Sequence, residues 1–170
     1  MPDQDRFLVS GPVELRRLRG RVRLEHPDLF TRRARAQVRL SKTPTRVQAY
    51  LWGRTDREGF LRRVMVAAVG EASPDETPLT FDLRGIFVME RDGHLMVRVR
   101  PWSRFRRGPL KGKRLPSFVI HVLKQDPDAP TPARGSWVMV AGRLVRGRLV
   151  GSITFVRPRR GRALPPPPEG

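Results

Sequence analysis

The 170-residue chain contains no cysteine, which excludes disulfide bonds and thiolate metal sites. Histidine is nearly as rare. His26, His94 and His121 stand alone in the sequence, and none has the spacing of an HExxH zinc site. No phosphate-binding GxxxxGKS loop is present, since GPLKGKR (108–114) lacks its spacing. The acids gather in DQD (3–5), SPDE (73–76) and QDPD (125–128), segments that read as linkers, where exposure leaves carboxylates ordinary. Catalysis therefore finds little support, and neither a metal nor a cofactor is expected. The longest apolar run, VMVAAVG at 64–70, is far too short to span a bilayer. The opening residues MPDQDRFLVSGPVEL have early acids and no apolar h-region, unlike a secretory signal. These features point to a soluble cytoplasmic protein, free or associated with the nucleoid, and not to a membrane protein.

What the chain has in excess is positive charge. The formal net charge is +19 and the pI about 11.9, carried almost wholly by arginine, because the only lysines are Lys42, Lys111, Lys113 and Lys124. Arginine, alanine, proline and glycine richness can reflect coding bias. A twofold excess of bases over acids is not explained that way and implies a polyanionic partner, nucleic acid first and an acidic membrane surface second. The hydrophobic share of 38% supports one modest core: one compact domain with appendages, or two very small ones.

Period-2 alternation dominates the chain. Residues 7–40 are ambiguous: VELRRLRGRVRL (13–24) alternates at its end, and TRRARAQVRL (31–40) suits a short helix or a strand. In TRVQAYLWG (45–53), Val47, Ala49 and Leu51 share one face, with Gln48, Tyr50 and Trp52 on the other. RTDREG (54–59) turns the chain and FLRRVMVAAVG (60–70) returns it, which predicts a hairpin over 45–70. EASPDETP (71–78) is a linker or exposed loop. Five strands follow: 81–90, 94–101, 116–124, 136–144 and 148–156, with long loops after the second and third. In the second, Leu95, Val97 and Val99 face inward and Met96, Arg98 and Arg100 outward. Five short strands predict an all-β fold: a five-stranded OB-like barrel over 79–157, with residues 1–78 as a basic β-rich N-terminal extension. Gly85, Gly142 and Gly151 fit the bends such a barrel needs. A sandwich or an SH3-like barrel remains open. The tail 158–170, RPRRGRALPPPPEG from Arg157 on, is basic and proline-rich and reads as disordered.

RGSWVMVAGRL (134–144), followed by a turn and SITFV (152–156), resembles the fourth and fifth strands of bacterial single-stranded DNA-binding proteins. On that resemblance PSFVIHVLK (116–124) is similar to the third strand, FDLRGIFVME (81–90) to the first and LMVRVRP (95–101) to the second. The resemblance covers about the last half of the chain and implies an OB-fold. Two departures stand out. QDPDAPTPARG (125–135) replaces the family's helix, and the tail ends PPPPEG where the family carries an acidic partner-docking tip. The likeness therefore implies a shared fold more than a shared cellular role.

The stretch PWSRFRRGPLKGKR (101–114) has six positive residues and no negative one, with two aromatics among them. Single-strand binders combine a basic groove with aromatic platforms for the bases. Trp102 and Phe105 are the candidate platforms, and Arg104, Arg106, Arg107, Lys111, Lys113 and Arg114 the candidate phosphate ligands. Arg98 and Arg100 continue that face on the preceding strand. Arg143, Arg146 and Arg148 surround the last hairpin, with Arg143 and Arg148 taken as the other border of the groove. The bland alternative is that Trp102 anchors a strand end and the charges solvate a loop. Tyr50 and Trp52 either extend a stacking surface or cover a barrel end, and Trp137 reads as core. RRLRGRVR (16–23) and TRRAR (31–35) are either nucleic-acid-contacting arms or solvated strand faces. The expected partner is single-stranded DNA or RNA, with protein partners in a larger complex as the alternative.

Overall fold

The computed structural model describes residues 4–29, 33–36, 43, 45–72, 77–101, 109 and 112–158. Among them there are ten strands and no helix. Lys111 and most of the 101–114 stretch lie outside the described residues, as does the tail from residue 159. No helix of the described residues is long and apolar enough to cross a membrane.

The five strands expected after residue 80 are β6 (Thr80–Arg91), β7 (His94–Val99), β8 (Phe118–Lys124), β9 (Trp137–Val145) and β10 (Arg148–Arg157). They close into a ring in the order β6-β7-β8-β10-β9-β6, with β8 and β10 parallel and every other pair antiparallel. The ring closes because alternate residues are apolar. Leu95, Val97, Val99, Ile120, Val122, Val138, Val140 and Leu149 are all buried, and together they fill the barrel. Two-residue turns join the tight hairpins. Asp92-Gly93 and Arg146-Gly147 both have positive φ at each position, the mirror-image turn that matches strand twist. Gly142 is needed for another reason: a Cβ there would lie 2.0 Å from the Val150 carbonyl oxygen of β10.

The described residues of 1–78, expected as a β-rich extension, form a second set of five paired strands. Their strands are β1 (Arg6–Leu18), β2 (Arg21–Glu25), β3 (Arg33–Ala36), β4 (Thr45–Thr55) and β5 (Leu61–Glu71), the last two forming the expected hairpin. Their pairings run β1-β2-β3-β5-β4-β1, the same order as in the second half, again with only the third and fifth strands parallel. The chain is thus two OB-like circuits in tandem. Among the described residues β3 meets each neighbour through two residue pairs.

A pseudo-two-fold joint connects the circuits. Their first strands pair antiparallel over Arg6–Ser10 and Thr80–Arg84. Away from that seam, the two hairpin loops meet reciprocally. Leu61 N–H donates to Gly147 O (2.9 Å) and Leu149 N–H to Gly59 O (3.0 Å), with Phe60 and Arg148 bridged between them. Gly59 and Gly147 both have φ near +82°, a conformation open to glycine and costly for other residues. Residue i contacting j while j's counterpart contacts i's is the signature of an isologous interface, here within one chain. Asp28 adds two contacts, accepting from Arg146 N–H through its carboxylate and from Gly147 N–H through its carbonyl. Asp5 ties the first strand to the second circuit by accepting from Arg100 N–H (3.0 Å) and from Trp137 Nε1–H (3.1 Å). Trp137 is buried, as expected.

The proline-rich connection 125–135 is clipped to the barrel by Lys124. Its buried ammonium donates to Glu90 Oε2 and to the carbonyls of Pro127 and Ala129. Thr131 completes the clip by donating to the same Glu90 oxygen, and with Lys124 it holds the Glu90 carboxyl below its ordinary pKa.

Candidate nucleic-acid interface

The basic stretch 101–114 connects β7 to β8. Its ends are drawn together by the last strand pair, Val99 with Phe118, and by Leu115 N–H donating to Pro101 O (2.9 Å). Trp102, Arg104, Phe105, Arg106, Arg107 and Lys111 lie outside the described residues. Lys113 and Arg114 are exposed at the returning end. Arg98 and Arg100 are exposed at the departing end, so these four cations gather where the stretch meets the barrel.

Behind that edge lies the outward face of β6, β7 and β8, whose residues the register places in rungs. Ile86, Arg98 and Val119 stand opposite one another, then Met89, Met96 and His121, then Arg91, His94 and Leu123. Most of the face is uncharged, and Met89 is 44% exposed. The loop of the β4–β5 hairpin borders its far end. Glu58 O faces His94 Nε2 (3.1 Å), and Thr55 Oγ1 accepts from His121 N–H (2.8 Å). Arg54 places its guanidinium 3.4 Å from the centre of the Phe118 ring. Burial, with the His94 charge assisting, pulls the His121 pKa below its ordinary value, and its buried Nδ1 has no hydrogen-bond partner among the described residues.

Arg143 does not border this face, whereas Arg148 reaches its β8 edge, where Arg148 Cγ and His121 O both lie against Gly59. Arg143 is on β9, opposite Thr80 of β6 and Val150 of β10, on the side of the ring that continues into β1. Arg148 belongs to the joint. Its guanidinium stacks 4.5 Å from the Phe60 ring centre, and its buried Nε has no hydrogen-bond partner among the described residues. The reciprocal docking of the two hairpin loops holds Arg148 there, with Gly147 of its turn buried and Arg146 left exposed. Tyr50 is also elsewhere, on β4 opposite Ser10 of β1 and Ala68 of β5.

The structure brings together one set of residues that sequence reasoning did not join. Arg16 of β1 is directly opposite Arg23 of β2, and Arg23 is directly opposite Arg33 of β3. The alternation of Arg21, Val22, Arg23 and Leu24 was the legible signal for one basic face on β2. Among the described residues no three histidine, aspartate or glutamate side chains come together as a metal site. No family model, no curated protein and no solved structure matches the chain.

Proposed function

We propose that this chain is a cytoplasmic, non-catalytic binder of single-stranded nucleic acid, DNA or RNA, that works without a cofactor. The observation that carries the reading is the outward face of β6–β8. A largely uncharged row of Met89, Met96, His121 and Val119 lies beside exposed Arg98 and Arg100, where a stretch with two aromatics and six cations leaves the barrel. Bases need apolar or aromatic surface, and phosphates need cations along a continuous track. Both chemistries meet at this edge of an OB-like barrel, on the strands where such folds hold oligonucleotides. The resemblance of 134–144 and 152–156 to bacterial single-stranded DNA-binding proteins supports the same reading.

The test compares a labelled oligonucleotide of about 30 nucleotides as single-stranded DNA, single-stranded RNA and duplex, titrated across salt. Wild type should prefer single strands at moderate salt. Trp102→Ala with Phe105→Ala should weaken that binding by about 1–3 kcal/mol for each stacked base lost. Equal, salt-erased binding to all three, unchanged by the double substitution, would sink the reading. A structural or assembly role in a larger particle would then stand in its place. The observation favouring that second reading is the exposure of Phe155 (50%) and Val156 (41%) at the end of β10, which a protein partner would cover.

A further inference from the structure

We propose that the β1–β2–β3 face of the N-terminal circuit is a second phosphate-binding surface, so that both circuits of one molecule engage the same single strand. The inference rests on the single-strand reading above and names a part of the site that lies on the other circuit.

Arg16, Arg23 and Arg33 occupy one rung across three adjacent strands. Neighbouring strands lie about 4.8 Å apart, so the three side chains leave the sheet within roughly 10 Å of one another. Like charges placed directly opposite repel, and the fold gains nothing from this arrangement. Arg21 and Arg35 are exposed and extend the basic surface toward the turn at 19–20. Arg23 has an acid partner, with its Nε 3.0 Å from Glu25 Oε1. Among the described residues, Arg16, Arg21, Arg33 and Arg35 have no ion pair. A polyanion supplies the missing counter-charge.

The neighbouring rung sets the direction. Glu14 of β1 is directly opposite Glu25 of β2, an acidic pair that closes the arginine rung on the side away from the turn. A phosphate chain is therefore held between the acidic rung and the turn, crossing β1, β2 and β3 instead of running along them. No aromatic side chain shares the rung, so this surface holds backbone and leaves stacking to the other circuit.

Each phosphate neutralised on a single strand contributes about 0.7 to the slope of log affinity against log salt. The experiment measures that slope for full-length protein on deoxythymidine oligonucleotides of about 10 and about 30 nucleotides, the shorter matching one OB-type site. Arg16→Gln/Arg23→Gln/Arg33→Gln should lower the slope on the long probe by about 2 and leave the short probe less affected. The corresponding triple lysine variant keeps the charge and should keep the slope. Normal wild-type binding with an unchanged slope in the glutamine variant overturns this inference alone. An equal loss in the lysine variant also overturns it, because charge would not be the cause. A wild type that does not bind single strands at all removes the parent reading with it.

Discussion

The two circuits have the same strand order, the same strand sense, a two-residue turn after the first strand and a reciprocal joint. Counted from those turns, where Leu18 pairs with Arg21 and Arg91 with His94, the same rung holds Arg16, Arg23 and Arg33 in one circuit and Met89, Met96 and His121 in the other. The inward positions beside them are alike: Val22 and Leu24 are buried in one, Leu95 and Val97 in the other. Burial of alternate apolar residues fixes the barrel, and the outward row is left free for other chemistry. One face therefore suits phosphates and the other suits bases. On the proposed function, the first circuit adds phosphate contacts to an edge of the second circuit where bases and phosphates are both held.

If the circuits are halves of one cooperative unit, damage to either should unfold both, and this gives the largest expected effect. Gly142→Ala would drive a Cβ to 2.0 Å from the Val150 carbonyl oxygen, a backbone atom that cannot move aside. Overpacking of this severity costs about 3 kcal/mol, so the melting temperature should fall by roughly 6–12 °C. Gly53→Ala in the β4–β5 hairpin should cost less, because its closest obstacle, at 2.8 Å, is the movable end of the Leu61 side chain. Calorimetry should show one transition shifted in each variant. Two separated transitions would break the comparison by making the barrels independent.

Exchanging the chemistry of the faces sharpens it further. Met89→Arg with Met96→Arg writes part of the arginine rung onto the second circuit, at matching positions. On the proposed function, the salt slope for a single strand of about 30 nucleotides should steepen by about 1.4, two added phosphate contacts at 0.7 each. Retention of the wild-type slope would mean that the β6–β8 face does not meet the nucleic acid.

The second circuit was far more legible in the sequence than the first, for a physical reason. In β7 and β8 a strict alternation brackets Leu95, Val97, Val99, Ile120 and Val122, and local pattern alone assigns the faces. β1 instead carries Gly11-Pro12 in its middle, which reads as a break. That pair falls where one edge of the strand passes from β6 to β2, so a missing N–H is tolerated there. β3 has four described residues and takes its register from β2 and β5. The arginine rung is a product of that long-range register. Arg148 illustrates the same limit, since nothing local reveals that its turn is docked against Phe60.

The smallest effect concerns the border between the circuits, where His121 and His94 lie beside the β4–β5 loop. Burial lowers the His121 pKa in the folded protein, with His94 and Arg57 adding to the shift and Asp56 opposing it. The unfolded chain therefore binds the His121 proton more readily than the folded one. Stability is fully present above the ordinary histidine value of about 6.5, and it is lost as pH falls from there toward the depressed folded pKa. The difference between wild type and His121→Leu isolates the His121 contribution. Wild type should lose more melting temperature than the variant between pH 7 and pH 5, and equal losses would show that His121 is not held neutral at the joint. The first circuit has Arg33 at the matching position, so His121→Leu probes the second circuit's side of the border alone.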